Sequence, residues 1–306
     1  MPVVAIIILN WNDADATICC AASVLAAIQN PDLVHIAVNL YLVDNGSGNK
    51  DAAKLQRWCD RQPANQVTLV INRTNLGFSA GMNAGISSAQ KSQPDYFFLL
   101  NNDLQVDCHT ISHLLAFSEA NHSKAATGLT VLDPLTGKVQ CAGGYRYYPW
   151  LGYNIPLMGG ASLEQVKAAT EHRPDYLSGA AMWLTGDFVR RIGGLPTEHF
   201  LYFEELELMQ RLKPGEELGV CADAIVTHQG GGSSNTPELQ QRATYYATLS
   251  AFNYTRRYHP WFLPSVMVAR ILGISLRAIW RRQPKLISAT LHALQDFIFP
   301  KGANPP

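Results

Sequence analysis

Amide and carboxylate side chains follow each of the first four strongly apolar segments of the chain. These segments run directly into Asn10-Trp11-Asn12-Asp13, Asp44-Asn45-Gly46-Ser47, Asn72-Arg73-Thr74-Asn75 and Asn101-Asn102-Asp103. Such side chains can bind a polar ligand, and a carboxylate can hold a divalent cation against a phosphate. For any one loop an ordinary turn is the simpler explanation, since Asn, Asp, Gly and Ser favour turns. Four loops of the same chemistry together favour a site for a charged ligand.

The loop after the first apolar segment argues against a phosphate cradle made of backbone amides. A dinucleotide site needs a glycine-rich turn there, and a P-loop needs its own glycine-rich motif. Asn10-Trp11-Asn12 contains no glycine, and the P-loop motif is absent from the chain. A carboxylate-bound metal is the other common way to neutralise a diphosphate, which makes Asp103 a candidate metal ligand.

The four polar loops are predicted to lie at one edge of a sheet. The apolar segments are dense and do not alternate with polar residues, which is typical of parallel strands buried on both faces. They are Val3–Leu9, Ile36–Val43, Val67–Ile71 and Tyr96–Leu100. Helical patterns follow at Thr17–Ile28, Lys50–Gln62, Ser79–Gln90 and Asp107–Asn121, with Asp15 and Asp107 as expected N-caps. This order predicts an α/β fold whose mostly parallel, Rossmann-like sheet is flanked by helices and binds its ligand outside the strand ends.

The pattern changes after residue 125. A hairpin turning at Asp133–Gly137 is expected first, and Tyr145–His172 is expected to be irregular. Ala181–Ile192 and Glu204–Leu212 have helical patterns, and the chain beyond Pro237 is mainly helical. We therefore predict a catalytic domain over residues 1–235, with a nucleotide half at about 1–105 and an acceptor half at about 106–235. A helical extension over 236–306 completes the chain.

Composition excludes several classes of protein. The 306 residues have zero formal net charge, so the whole molecule has no attraction to polyanions. None of the six cysteines forms a CxxC pair, which favours buried reduced thiols in a reducing compartment over zinc ligands or disulfides. The first segment lacks the basic start and cleavage site of a signal peptide, and we expect it to be a strand. No stretch is expected to be long enough for a clean transmembrane helix.

Six stretches together resemble the inverting family 2 glycosyltransferases of GT-A fold, within them the bacterial rhamnosyltransferase-like group. They are IIILNWN, YLVDNGS, NRTNLGFSAGMNAGI, FFLLNND, LSGAAMWLTGDFVRRIGGLPTEHFLYFEELELMQRL and ADAIVTHQGGGSS. The resemblance implies donor-binding roles for residues in the four loops and the helix after the third. These residues are Asn10, Asn12, Asp44, Asn45, Arg73, Asn75, Asn83, Asn102 and Asp103.

The resemblance also implies a metal site and a catalytic base. Asp103 occupies the position of the metal-binding carboxylate, for Mg²⁺ or Mn²⁺, and His228 that of a histidine which completes the site in some members. Here the usual Asp-x-Asp is Asn101-Asn102-Asp103, with one carboxylate missing. Glu204 and Glu205 match the acidic pair that carries the base. We expect Glu205 to be the base and Glu204 to be nearer a capping position.

Three of these assignments have structural alternatives. His228 can equally be a loop histidine without a ligand. The glycines after it can form a loop that closes over the donor or a plain linker. Glu204 and Glu205 can simply favour a helix N-terminus, and Glu207 with Arg211 makes an ordinary i,i+4 pair.

The C-terminal region is basic. From Ala251 onward it contains eight Lys or Arg residues and one acid. Arg270, Arg277 and Arg281 fall on one helical face among apolar residues, which is typical of a helix on a membrane surface. The alternative is a core helix with its arginines facing outward. A nucleic-acid partner is not expected, because the tract lacks interleaved stacking platforms.

The chain is therefore expected to be an inverting, metal-dependent hexosyltransferase of cell-surface polysaccharide synthesis. The resemblance implies dTDP-L-rhamnose as donor, or else a UDP-sugar, and a glycan or lipid-linked acceptor. We expect a cytoplasmic protein, peripheral on the inner face of the membrane. The competing interpretation is a non-catalytic sugar-nucleotide or glycan-binding protein that retains the fold.

Overall fold

The computed structural model describes residues 1–63, 66–169, 172–228 and 236–300. The strands among them are β1 Val3–Asn10, β2 Ala37–Asn45, β3 Val67–Asn72, β4 Tyr96–Asn101, β5 Leu104–Val106, β6 Lys124–Leu132, β7 Val139–Ala142, β8 Gly144–Tyr148, β9 Tyr153–Pro156, β10 Tyr176–Leu177, β11 Ala181–Thr185 and β12 Glu217–His228. The helices are α1 Ala14–Ala27, α2 Asn49–Cys59, α3 Phe78–Ala89, α4 Thr110–Ala120, α5 Leu163–Ala168, α6 Gly186–Ile192, α7 Glu204–Met209, α8 Pro237–Tyr258, α9 Leu263–Trp280 and α10 Lys285–Ile298.

The main sheet has the order β3-β2-β1-β4-β11-β6-β12-β5, with β7 paired to β6. Strands β3, β2, β1 and β4 are parallel, as the four unalternating segments predict. β11 runs antiparallel between β4 and β6. The middle of β1 and of β4 is fully buried, because helices cover both faces of the sheet. The predicted α/β class, with its mostly parallel sheet flanked by helices, is confirmed.

The polar strand ends meet at one edge, as the sequence predicts. Asn10 lies opposite Asp44 in the β1–β2 register, and Asn45 lies opposite Asn72 in the β2–β3 register. Leu9 of β1 pairs with Asn101 of β4. Four loops that are distant in sequence are thereby held side by side at the carboxyl edge of the sheet.

Two expected N-caps are placed differently. α1 begins one turn earlier than predicted, and Asp13, not Asp15, accepts the capping hydrogen bond from the Ala16 amide at 3.2 Å. α4 begins at Thr110, and Asp107 instead accepts from the His109 amide at 2.9 Å. In both cases the aspartate whose side chain reaches the free amides lies in the loop, and a sequence pattern alone does not locate that loop's end.

Two expectations for the second half are wrong. Ala181–Ile192 is not one helix, because its first five residues form β11 and are buried between β4 and β6. Tyr145–His172 is not irregular, since β8 and β9 form an antiparallel hairpin there and α5 follows. In both places tertiary pairing overrides the local pattern. The hairpin that turns at Asp133–Gly137 is confirmed by β6 and β7.

The C-terminal helices α8 and α9 pack against the sheet domain, and α10 packs on these two helices. The Ser250 hydroxyl of α8 donates to the Leu201 carbonyl at 3.0 Å, and Gln210 donates to the Tyr254 hydroxyl at 3.0 Å. Ala251 and Tyr254 are buried in the same apolar cluster as α3 and α7. The division at residue 235 stays a prediction, and across it α8 supplies part of the core that supports the site.

Candidate active site

Asn10 and Asp44 lie buried beneath the site. Asn10 is fully buried, and its amide donates to Asp44 Oδ1 at 2.8 Å and to Ser47 Oγ at 3.0 Å. Its Oδ1 accepts from the Thr17 hydroxyl at 2.8 Å. Asn10 therefore braces the loops from within, and the donor-binding role that the resemblance implies for it stays a prediction.

Asn45 organises the loop that follows β3. Its Nδ2 donates to Asn75 Oδ1 and to the Gly77 carbonyl, each at 3.0 Å. Its Oδ1 accepts from Asn72 Nδ2 at 3.1 Å and from the Leu76 amide at 3.2 Å. Asn45 and Asn75 both line the cleft described below. A buried side chain with four partners fixes the loop firmly, so we assign Asn45 to positioning the cleft wall.

The other predicted donor-binding residues either hydrogen-bond to neighbouring segments or are exposed to solvent. Asn12 accepts from the Gly48 amide at 2.8 Å, and Asn83 of α3 clamps both backbone groups of Leu195 at 2.7 and 2.8 Å. Asn102 lines the cleft, and its amide also donates to Thr17 Oγ1 at 3.1 Å. Arg73 is exposed. Among these four residues only Asn102 borders the cleft, and donor-binding roles for Asn12, Arg73 and Asn83 stay predictions.

A cleft of about 260 Å³ opens at this sheet edge. Its lining residues come from the loops, from the segment before α7 and from the first turns of α8. They include Trp11, Asn75, Asn101, Asn102, Asp103, Phe200, Tyr202, Arg242 and Tyr246. The Arg242 guanidinium lies over the Trp11 ring at 5.0 Å from its centre. The cleft thus combines aromatic surfaces for a flat ring with an exposed cation, Arg242, and the carboxylate of Asp103.

Arg242, Tyr246 and Trp11 were not predicted as site residues. Trp11 stands between two predicted residues, so its position in the first loop is the signal that could have drawn attention to it. Arg242 and Tyr246 lie in α8, beyond the predicted end of the catalytic domain. A lone arginine on a helix carries no sequence signal of its own, and only the fold brings it to the cleft.

Asp103 and His228 are brought together, as the resemblance implies. Leu104, the first residue of β5, pairs with His228, the last residue of β12, so Asp103 directly precedes the residue opposite the histidine. His228 Nε2 lies 3.1 Å from Asp103 Oδ2. The other oxygen, Asp103 Oδ1, is buried and has no hydrogen-bond partner among the described residues. A buried carboxylate oxygen without a partner is costly unless a ligand satisfies it.

Gln140 fixes the orientation of the histidine. Its Nε2 donates to the His228 carbonyl at 2.9 Å, so its Oε1 faces His228 Nδ1 at 2.8 Å and must accept from it. Nδ1 therefore carries the proton in the neutral ring, and the lone pair of Nε2 points toward the Asp103 carboxylate. That contact is attractive only with a proton or a metal cation at Nε2. Gln140 is the partner that orients this ligand, and it was not predicted.

These residues fit a divalent cation that is only partly held by protein. Asp103 supplies oxygen and His228 supplies nitrogen, which suits Mn²⁺ and, less well, Mg²⁺. Among residues 1–63, 66–169, 172–228 and 236–300, no group of three or more His, Cys, Asp or Glu side chains could hold a metal ion. A cation at Asp103 would therefore take its remaining ligands from a bound diphosphate and from water.

The acidic pair Glu204-Glu205 begins α7 after a strained turn. Tyr202 and Phe203 have φ values of 66° and 71°, in the left-handed region that side-chain-bearing residues rarely adopt. Each costs roughly 1–3 kcal/mol and persists because packing holds it. Phe203 is buried against Tyr147 and Tyr254, while Tyr202 lines the cleft. The strained turn thus connects the cleft wall to the two carboxylates.

Burial raises the pKa of both glutamates. Desolvation raises the pKa of Glu205 to about 7, and hydrogen bonds from the Glu205 and Gly179 amides oppose the rise. Glu204 is almost fully buried, and desolvation together with the Glu205 charge raises its pKa further. Its Oε2 has no hydrogen-bond partner among the described residues. Burial therefore favours the protonated form of Glu204, whereas Glu205 is poised to exchange a proton near neutral pH.

Glu207 anchors α7 instead of facing solvent. It is fully buried, and its Oε1 lies 3.5 Å from Arg211 and 3.1 Å from Arg257 of α8. The predicted i,i+4 pair with Arg211 is confirmed, but as one part of a buried network. This network holds α7 against α8 and so fixes the positions of Glu204 and Glu205.

Gly179 lets the Glu205 carboxylate approach the end of β4. The Ala180 carbonyl accepts from the Asn101 amide at 2.8 Å, so Gly179 sits at the same sheet edge as Asp103. A Cβ atom on Gly179 would lie 2.0 Å from Glu205 Oε1. Only glycine leaves room for this carboxylate position.

We predict that Gly179→Ala lowers turnover at least tenfold while the chain still folds. The added methyl displaces the Glu205 carboxylate, and a small misplacement of a catalytic group has large effects on rate. Gly273→Ala is the matched control, because a Cβ there meets nothing within 4 Å. Circular dichroism and turnover measured together check the prediction, and an unchanged rate in Gly179→Ala would contradict it.

The glycine-rich segment after His228 lies outside the described residues, so its expected role as a closing loop or a linker stays a prediction.

Comparisons with known proteins place this geometry in context. Residues 5–136 match the family model described as Glycosyl transferase family 2. A comparison with curated protein sequences finds no match.

Several solved structures are similar over most of this chain. The mannosyltransferase PcManGT of Pyrobaculum calidifontis, in complex with GDP-Man and Mn²⁺, is 12% identical, with a TM-score of 0.60 over 97% of this chain and 87% of that one. Residues 1–349 of S. aureus TarS, in complex with UDP-GlcNAc, are 15% identical, with a TM-score of 0.54 over 97% of this chain and 81% of that one. GalNAc-T7, with UDP, GalNAc and Mn²⁺, is 14% identical, with a TM-score of 0.55 over 82% of this chain and 51% of that one. At these identities the likeness bears on the fold alone.

Proposed function

We propose that this protein is a family 2 glycosyltransferase that transfers a sugar with inversion from a nucleoside-diphosphate donor to a hydroxyl acceptor; the match of residues 5–136 and the GT-A fold support the proposal. The observation that carries the proposal is the arrangement at one sheet edge. Asp103, paired with His228, borders a cleft with aromatic walls, and the carboxylate of Glu205, whose pKa is about 7, lies against Gly179 just before β11.

The nucleotide binds in the cleft, where Trp11, Phe200 and Tyr246 offer flat apolar surfaces for a base. Asn75 and Asn102 provide polar groups at the wall, and Asp44 is held rigidly behind them by Asn10. Arg242 contributes positive charge toward the diphosphate. Asp103 and His228 would hold a divalent cation, which stabilises the charge that develops on the leaving diphosphate.

Glu205 acts as the general base in this proposal. As a carboxylate it takes the proton from the acceptor hydroxyl, whose oxygen then attacks the anomeric carbon while the diphosphate leaves from the opposite side. One such displacement inverts the anomeric configuration. Glu204, protonated beside it, keeps a second negative charge away from the incoming oxygen. The rings of Tyr145 and Tyr176 stack on each other, and burial together with the Glu205 charge raises the pKa of both hydroxyls. We place these two tyrosines on the acceptor side of Glu205.

The proposal extends to the identity of the donor and of the acceptor. We propose dTDP-L-rhamnose as donor, with a UDP-sugar second, and a glycan or lipid-linked acceptor in cell-surface polysaccharide synthesis. The similar structures contain GDP-Man, UDP and UDP-GlcNAc, so the fold accommodates several nucleotides. The proposed location is cytoplasmic, on the inner face of the membrane.

A thermal-shift panel of nucleotide sugars with Mn²⁺ tests this proposal. A ligand that binds only the folded chain raises its apparent melting temperature, so the true donor should give a metal-dependent increase. The panel contains dTDP-rhamnose, UDP-sugars and GDP-sugars, each with Mn²⁺ and with EDTA. Stabilisation by none of them would contradict the proposed nucleotide-sugar site.

Replacing Arg242 is expected to weaken donor binding more than it slows the chemistry. Arg242→Ala removes a cation that faces the diphosphate, and hydrogen bonds to charged groups are worth roughly 10- to 100-fold in affinity. We therefore predict an increase of that size in the KM for the donor with kcat changed much less. Arg256→Ala is the matched control, since Arg256 lies on the same helix and stacks on Phe297 at 4.6 Å away from the cleft. An equal KM in both variants would contradict the role.

A further inference from the structure

Helix α9 is apolar on the side that faces away from the protein. Trp261, in the turn before α9, is 92% exposed, and Leu276 and Trp280 are 68% and 81% exposed. Val268, Leu272 and Ile279 are also exposed on this side. The spacing Val268, Leu272, Leu276 and Ile279 puts these side chains in one stripe. We call Trp261, Val268, Leu272, Leu276, Ile279 and Trp280 the apolar face.

The opposite side of α9 is the one seated on the protein. Val266 and Ala278 are its fully buried residues, and Val266 packs with Phe252 and Phe297. Arg270 donates to the Gly152 carbonyl at 2.9 Å, with its guanidinium over the Phe203 ring at 5.5 Å. The outward stripe is therefore apolar, and the three arginines do not share one outer face, because Arg270 points inward while Arg277 and Arg281 are exposed. The expected membrane-surface position stays a prediction.

The stretch Pro260–Trp280 is long and apolar enough to cross a membrane by length and composition, contrary to the expectation that no stretch would be. Its contacts argue for a surface position. The Ser265 hydroxyl donates to the Trp150 carbonyl at 2.8 Å, Arg270 holds Gly152, and Ala278 is buried farther along. A helix seated on a folded domain from Ser265 to Ala278 lies along a bilayer and does not pass through it.

The apolar face continues onto the β8–β9 hairpin. Ser265 contacts the backbone of both Trp150 and Phe262, so these residues adjoin. Trp150 and Tyr153 are 52% and 56% exposed. Tryptophan and tyrosine are the side chains enriched where hydrocarbon meets the headgroups of a membrane. One exposed surface thus carries aromatic residues at Trp150, Tyr153, Trp261 and Trp280 around aliphatic ones.

Positive charge lies at one end of this surface. Arg277, Arg281, Arg282 and Lys285 are all exposed and surround Trp280 in the sequence. Arg277, Arg281 and Arg282 make no ion pair with a described residue, while Lys285 lies 3.5 Å from Glu238. Clustered arginines beside an apolar surface match the negative potential of a membrane that contains anionic lipid.

We propose that the apolar face and the basic end of α9 dock this protein on a bilayer containing anionic phospholipid, with α9 lying in the headgroup region. The proposal depends on exposed side chains that the donor site does not use. On its seated side α9 is connected to the acidic pair, because Arg270 contacts Phe203, the residue before Glu204. A role of docking in bringing a lipid-linked acceptor to this protein rests on the proposed function, whereas docking itself does not.

Vesicle flotation of the full chain tests the proposal, with phosphatidylcholine vesicles alone and with added phosphatidylglycerol. We expect flotation with the anionic vesicles, weakened by salt. Leu272→Asp with Leu276→Asp should abolish it, and Arg281→Glu with Arg282→Glu should lower the partition coefficient roughly tenfold or more. The matched control is Val34→Asp with Leu135→Asp, two residues that are 73% and 88% exposed elsewhere, and it should float like the parent.

Three results would overturn the proposal. The parent chain fails to float with anionic vesicles, the two variants float as well as the control, or salt and alkaline carbonate fail to release the bound chain, which would indicate a spanning helix. Analytical ultracentrifugation of the same variants detects the remaining alternative. A dimer that Leu272→Asp with Leu276→Asp separates, without vesicle binding by the parent, would assign the face to a second copy. The donor thermal shift should be equal in all variants, so failure of docking is distinguishable from failure of the donor site.

Discussion

Glu205→Gln is expected to lower donor turnover by about 10²- to 10⁴-fold, which is the usual contribution of a general base. Glutamine has the same shape and keeps an oxygen for the Gly179 amide, but it cannot take a proton. Binding of the nucleotide sugar should be unchanged, because the donor cleft does not include Glu205. Turnover and the donor thermal shift, measured on the same preparation, check both parts.

The matched control is Glu204→Gln. Burial raises the pKa of Glu204 well above its ordinary value, which favours the neutral form that an amide resembles. We expect most of the activity to remain. An active Glu205→Gln together with an inactive Glu204→Gln would reverse the two roles, and full activity in both would remove the base from this pair.

The pH dependence follows from the same carboxylate. The base must be ionised, so turnover should rise with pH through a midpoint of about 7 and fall about tenfold per pH unit below it. Stability should change in the opposite direction. Between the ordinary glutamate pKa of 4.5 and about 7, folded Glu205 keeps a proton that the unfolded chain has lost, so the free energy of unfolding decreases as pH rises. Glu205→Gln should therefore melt higher than the parent at pH 8 but not at pH 4.

Asp103→Asn is expected to remove metal-dependent donor binding and to reduce turnover by about 10²- to 10³-fold, the range seen when one electrostatic stabiliser of a transition state is lost. Asp103 Oδ1 is a buried oxygen without a partner among the described residues, and an amide there cannot neutralise a cation. Isothermal titration with Mn²⁺ and the donor's nucleoside diphosphate measures the loss.

Asp107→Asn is the control for this second prediction. Asp107 lies just beyond β5 and is exposed, and its carboxylate accepts from the His109 amide and weakly from the Cys108 thiol, contacts that an asparagine oxygen can also make. It should bind Mn²⁺ and donor like the parent. Gln140→Leu should fall between the two, because loss of a group that orients a metal-binding histidine typically weakens binding 10- to 100-fold. Normal metal dependence in Asp103→Asn would contradict the metal site.

The first half of the fold was predictable because its signals are local. Dense apolar strands alternate with helices, and polar residues mark each strand end, so the shared edge follows from general rules for parallel sheets. β11 and the β8–β9 hairpin were missed because pairing with distant strands defines them. Ala181–Thr185 has no strand pattern strong enough to outweigh the helix that continues from it.

The site was predictable in part for the same reason. Asp103 and Glu205 stand in recognisable local motifs, and the fold confirms that Asp103 meets His228. The sequence could not show that Asn10 and Asn83 act as internal braces, since an asparagine that binds a ligand and one that clamps a loop have the same pattern. Gln140 and Arg242 reach the site only through long-range pairing and helix packing, which no spacing along the chain reveals.

Donor cleavage monitored by proton NMR is the decisive test of whether this protein transfers a sugar with inversion. The nucleotide sugar that gives the largest metal-dependent thermal shift is incubated with the chain and Mn²⁺, without acceptor, so that water takes the acceptor's place. We expect slow release of the nucleoside diphosphate and of a sugar whose first-formed anomer is inverted. Release should be lost in EDTA and in Glu205→Gln. A donor that binds with metal but is never cleaved above the rate without protein would contradict the proposed transferase activity and would identify a sugar-nucleotide-binding protein instead.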